Sequence, residues 1–165
     1  MNNPTLPHCN PNVNVHTRDE LVSLSSSITQ LIVDCDCCNE EDLNELMICQ
    51  WPLLSVIEIG SYSCRHVDVV ELIGLSRLER VMIGRNSFSK QKSSIGNCPT
   101  GHFSLKDCER VRELKIGRYS FNDYGVCVIE NDASLEGIEM GELTTENYNF
   151  YYAPLILKSV FQGMK

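Results

Sequence analysis

No apolar run in this chain of 165 residues approaches the roughly 18 needed to cross a bilayer as a helix. The first residues, MNNPTLPHCNPNVNVH, carry neither an apolar core nor an early basic residue, so they lack the make-up of a secretory signal. Basic residues are outnumbered, 14 Lys and Arg against 22 Asp and Glu, and the net charge of −8 argues against non-specific binding to nucleic acid or to anionic membranes. Catalytic signatures are missing too: there is no G-x-S-x-G elbow, no H-E-x-x-H and no phosphate-cradling P-loop. The four histidines are scattered, with His8 and His16 in the N-terminal stretch. The sequence therefore reads as non-enzymatic.

Cysteine is plentiful, nine residues, yet the count is odd and the positions are not regularly paired. Without a signal segment this predicts reduced thiols and a cytoplasmic protein. Three thiols crowd into VDCDCCNEEDLN, as Cys35, Cys37 and Cys38, which raises the question of a metal site. Cys64 with His66, and Cys98 with His102, are the other close pairs. Cys35 and Cys38 have C-x-x-C spacing, but no second knuckle follows, so neither a metal nor another cofactor is expected. Charge is unevenly spread: residues 65–118 hold eleven of the fourteen Lys and Arg against six acids, while acids crowd 34–45 and 130–146.

The chain repeats itself. LLSVIEIGSYSC, RLERVMIGRNSF, RVRELKIGRYSF and SLEGIEMGE align on Gly60, Gly84, Gly117 and Gly141. One residue before these glycines stand Ile59, Ile83, Ile116 and Met140; three before, Ile57, Val81, Leu114 and Ile138; six before, Leu54, Leu78, Val111 and Leu135. Fourteen and twelve before come Leu46/Ile48, Val70/Leu72, Phe103/Leu105 and Cys127/Ile129. Nine before come Trp51, Leu75 and Cys108, with Asp132 breaking the pattern. Apolar alternation by two at both sites predicts two short strands per unit. The glycine suits a turn that needs positive φ or close backbone approach. Four residues after it come Cys64, Phe88 and Phe121, whereas Thr145 fails, so the fourth unit reads as degenerate. An earlier copy, ITQLIVD, puts Asp34 in the glycine slot and Cys38 four residues later, which makes Cys38 a small apolar core residue.

These residues resemble the leucine-rich repeat family. Its L-x-x-L-x-L-x-x-N-x-L pattern is matched by Leu78, Val81, Ile83, Asn86 and Phe88, and by Val111, Leu114, Ile116, Tyr119 and Phe121 with Tyr in place of Asn. The form is similar to the irregular, BspA-like variants, and covers about residues 28–160. The resemblance implies a repeat solenoid: a β-rich right-handed coil of about four to five units, two short strands each, with short helical turns near the N-terminus. Residues 1–16 are expected to be a disordered tail and 17–165 the solenoid, with 89–102 an inserted loop and 150–165 an incomplete last unit. Thr17 and Glu20 suggest a capping box opening a short helix, and Asn39 a helical turn through EEDLNEL. Leu155, Leu157 and Val160 match Phe103, Leu105 and Cys108, and the chain then stops. The expectation is a truncated member, or an open apolar edge that a partner or a second copy covers by self-association.

Function is expected on the sheet face, where side chains four and two residues before each glycine point out of the strand. They are Val56 and Glu58, Arg80 and Met82, Glu113 and Lys115, Gly137 and Glu139. Glu58, Arg80, Met82, Glu113, Lys115 and Glu139 are the candidate partner-binding residues. The pattern suits a protein or peptide of complementary charge, and neither nucleic acid nor membrane. The alternative is a structural spacer or scaffold segment of a longer repeat protein. Tyr62 and Tyr119, two after the glycines, stand at core or rim, with the core the first expectation.

Overall fold

The computed structural model describes residues 12–89, 98–141 and 147–158. In it the alternating apolar pairs fall in short strands, except that Ile48 opens a 3-10 turn, and like strands pair with like. One set comprises β1 (Asn12–Val15), β2 (Gln30–Val33), β4 (Val56–Ile59), β6 (Arg80–Ile83), β8 (Glu113–Ile116) and β10 (Gly137–Met140). They form a parallel sheet in the order β1-β2-β4-β6-β8-β10. The other set comprises β3 (Glu45–Met47), β5 (Val69–Ile73), β7 (Cys98–Lys106), β9 (Tyr124–Glu130) and β11 (Leu155–Lys158), a second parallel sheet in the order β11-β9-β7-β5-β3. Among the described residues, one α-helix, α1 (Arg18–Val22), and a 3-10 turn at Ile48–Gln50 complete the elements.

This mostly β, two-sheet parallel fold overturns the leucine-rich-repeat-like solenoid of four to five units. The residues fourteen and twelve before the glycines do not remain isolated short strands on the back of a coil. They hydrogen-bond strand to strand, Val70 to Phe103 to Cys127 to Leu155, and complete a five-stranded sheet. Parallel strands want both faces covered. Here the inner face of each sheet is filled by alternate apolar side chains, as the buried-every-second-residue pattern of β2, β4 and β8 in one sheet and of β5 in the other shows. The core runs continuously from Val15 and Leu31 through Leu54, Leu78 and Val111 to Ile129. A fully buried aliphatic side chain contributes about 1.5–3 kcal/mol.

Several boundaries also change. Residues 12–15, assigned to a disordered tail, are strand β1, in register with β2 through Val13↔Leu31 and Val15↔Val33. Of the rest of that tail, His16 is described and residues 1–11 lie outside the described residues. Of the expected loop 89–102, residues from Cys98 onward belong to β7, and 90–97 lie outside the description. Of the expected partial unit 150–165, Leu155 and Leu157 pair with Cys127 and Ile129, while Val160 lies outside. Thr17 does cap α1, its Oγ1 accepting from the Glu20 N–H at 3.3 Å. The return bond of a capping box differs: Glu20 Oε2 accepts from the His16 N–H at 2.8 Å. No helix forms after Asn39. Its side chain instead donates to the Tyr62 carbonyl at 3.0 Å and accepts from the Arg65 N–H at 3.0 Å, tying neighbouring strand levels together.

The corner after each first-sheet strand is the most ordered part of the packing. Gly60, Gly84 and Gly117 are there for close approach: a Cβ on Gly84 would lie 2.5 Å from the Ser61 nitrogen. Positive φ falls elsewhere, on Asp36, Tyr62, Asn86 and Tyr119 and on Cys38, Cys64, Phe88 and Phe121. Between those two positions a column of buried serines links the corners. Ser63, Ser87 and Ser120 donate through Oγ to the carbonyls of Asp34, Gly60 and Gly84 at 2.7, 2.7 and 2.6 Å. The same oxygens accept from the N–H groups of Cys37, Ser63 and Ser87. The last position is taken by Asn149, whose amide donates to the Gly117 carbonyl at 2.7 Å. Phe150 then stacks on Phe121 at 4.9 Å, continuing the Phe88–Phe121 stack at 4.8 Å. The fourth unit is therefore not degenerate in this slot. Its aromatic arrives nine residues after Gly141 instead of four, and Thr145 lies outside the described residues.

Candidate protein-binding face

The thiol cluster resolves into separate environments. Cys38 is buried, Cys35 is exposed and Cys37 lies between. The hydrogen bond to Cys38 and complete burial push the Cys64 thiol well above its ordinary range, and burial pushes Cys127 up to about 12. Cys98 Sγ points to Asp68 Oδ1 at 3.5 Å, and His102 Nε2 lies 3.2 Å from Glu71 Oε1. Among the described residues no three His, Cys, Asp or Glu converge as a metal-binding group.

The outer face of the first sheet carries two in-register rows. Gln30, Val56, Arg80, Glu113 and Gly137 form one row; Ile32, Glu58, Met82, Lys115 and Glu139 form the other. All six candidate partner-binding residues thus lie on one face. Strand pairing sets neighbours about 4.8 Å apart, and the charges use it. Glu113 Oε2 meets Arg80 Nε at 2.8 Å and its Oε1 meets Lys115 Nζ at 2.7 Å, while Lys115 also reaches Glu139 at 3.7 Å. The hydrogen bond from Lys115, with Arg80 adding to it, holds the Glu113 carboxyl below the usual range, and the same contact raises Lys115. Four of the six are therefore joined in one chain of ion pairs.

Glu58 and Met82 do something different. With Ile32, Lys115 and the edges at Gly60 and Gly84 they line a shallow trough of about 400 Å³. Its floor is half-buried Ile32 and Met82. Side chains are missing from its edge because the glycines cannot carry one. Ile32 was not singled out from the sequence, although Asp34 in the glycine slot places it two residues earlier on the outward row. Tyr62 and Tyr119 are not core residues. They are half-exposed, and guanidinium groups lie over their rings: Arg65 and Arg85 over Tyr62 at 5.6 and 5.4 Å, Arg118 over Tyr119 at 5.6 Å.

No protein-family model, curated protein or solved structure matches the chain. No described helix is long and apolar enough to cross a membrane.

Proposed function

We propose that the chain is a non-catalytic protein-interaction module that binds a protein or peptide through the outer face of its six-stranded sheet. The observation that carries this reading is the trough across β2, β4, β6 and β8: an apolar floor of Ile32 and Met82 beside Glu58 and Lys115. A partner side chain can displace water from that floor while its polar groups meet ion pairs already held in place. Preorganised charge of this kind favours specificity and association rate. A reducing compartment such as the cytoplasm suits the eight described cysteines, none of which is in a disulfide. Self-association through the last strand belongs to the same reading, since Leu155 and Leu157 on β11 are 46% and 58% exposed.

Affinity capture with mass spectrometry tests it, comparing the wild-type chain with an Arg80→Glu/Lys115→Glu variant that circular dichroism shows to be folded. The expected result is a set of partners lost in the variant. Identical captures from both proteins would favour a spacer role over binding. Light scattering across a concentration series reads the self-association, and a monomer throughout would remove it.

A further inference from the structure

A second feature of the same face concerns the chemistry of the partner. Segments 77–85 and 110–118, which contain the adjacent strands β6 and β8, carry seven Lys and Arg against two acids. Glu113 absorbs Arg80 and Lys115. Among the described residues, the remaining five arginines have no carboxylate within ion-pair distance. Arg77 and Arg110 stand at the corner before the strands. Arg112 stands beside the trough that Glu136 and Glu139 border, and Arg85 and Arg118 follow the glycines at the far corner. The last two rest on Tyr62 and Tyr119, which holds each guanidinium against a ring and leaves its N–H fork available.

The charge is confined. Glu58 on β4 borders the band on one side and Glu139 on β10 on the other. Two adjacent strands span roughly 10 Å including their side chains, and the long direction, corner to corner, is roughly 20 Å. A polyanion wider than one chain would meet the acidic borders at Glu58 and Glu139. One extended polypeptide of about six residues fits, with acidic side chains at its two ends.

We propose that the partner recognised by this face is an extended acidic peptide lying along β6 and β8, its carboxylates paired with Arg85 and Arg118 at one end and with Arg77 and Arg110 at the other. This rests on the binding reading above and names its partner class. The step from unpaired guanidinium to carboxylate ligand follows from the planar fork of Arg, which matches a carboxylate with two parallel hydrogen bonds.

Fluorescence anisotropy with the full chain tests it, using a labelled peptide of alternating Glu and Ala, its Gln counterpart, and a single-stranded oligothymidine of equal charge. The expected result is saturable binding of the Glu peptide and at least tenfold weaker binding of the Gln peptide. The Arg85→Ala/Arg118→Ala variant should bind the Glu peptide at least tenfold more weakly with unchanged thermal unfolding, and the Arg85→Lys/Arg118→Lys variant should recover part of the loss. No saturable binding at millimolar Glu peptide overturns the proposal, as does equal binding of the Gln peptide. Tighter binding of the oligonucleotide overturns it in favour of a nucleic-acid partner. Captured partners that are lost in the Arg80→Glu/Lys115→Glu variant but retained by Arg85→Ala/Arg118→Ala would leave the interaction face standing and remove the acidic-peptide assignment alone.

Discussion

Replacing Ser87 by alanine removes one oxygen from the middle of the serine column, and its effect can be worked from the geometry. The Oγ donates to the Gly60 carbonyl at 2.7 Å and accepts from the Ser63 N–H at 3.4 Å, and Ser87 itself is fully buried. Alanine preserves the volume closely, so little cavity cost arises. What changes is that a part-buried C=O loses its partner and a buried N–H loses a long, weak one. Orphaned buried polar groups cost about 1–3 kcal/mol, and the long bond adds little, so the expected loss is about 2 kcal/mol. For a domain of this size that lowers the melting temperature by roughly 4–8 °C. Urea unfolding followed by circular dichroism should show a lower midpoint with an unchanged slope. The control is Ser61→Ala, whose Oγ accepts from the Arg85 N–H at 3.3 Å in a half-exposed setting where water can substitute; it should change stability by less than about 0.5 kcal/mol. If Ser87→Ala loses no more than Ser61→Ala, the column is not a source of stability and the reasoning fails.

Gly84→Ala should destabilise severely because its Cβ would strike backbone atoms at 2.5–2.8 Å, whereas Gly137→Ala, with nothing within 4 Å, should be neutral or gain up to about 1 kcal/mol; thermal melts of the two compare them directly. Burial raises the Asp132 carboxyl to about 6, and its Oδ2 has no partner. A raised carboxyl pKa means the folded form binds a proton the unfolded form has already lost, so stability falls as pH rises from about 4 to 6. Asp132→Asn, which keeps the acceptor for the Cys108 N–H, should therefore be more stable than wild type at pH 7, by about 1 kcal/mol after discounting for partial exposure, and equal to it at pH 4; an advantage of the same size at both pH values would refute the assignment. Iodoacetamide labelling of the native protein should modify Cys35 and Cys49 first and leave Cys38, Cys64, Cys108 and Cys127 protected until unfolding, as peptide mass spectrometry would read.

The repeat grid was legible because burial leaves a period in the sequence. Ile57, Val81, Leu114 and Ile138 do align across four strands, and so do Val70, Phe103 and Cys127. Whether the second set of apolar pairs joins into a full sheet was not legible, since two alternating residues specify a strand but not its hydrogen-bond partners. Strand β1 was hidden by its asparagine and proline neighbours, although the alternation of Val13 and Val15 was there to be read. On the outer face, spacing put the six candidate residues in the two rows that strand register joins. It could not show that Glu113 joins Lys115 to Arg80, which lies 33 positions away, or that Arg85, 23 positions from Tyr62, lies over that ring.

The late arrival of Phe150 bears on how this architecture tolerates change. Its ring lies parallel to that of Phe121 within 6°, although the connection leading to it is five residues longer than its counterparts. Docking of the ring and of the preceding Asn149 amide, not the length of the intervening chain, decides where a segment re-enters the core. Peptides of foreign sequence grafted between Gly141 and Tyr148 should therefore be accommodated without disturbing either sheet, so long as the Asn–Phe pair that follows them is kept.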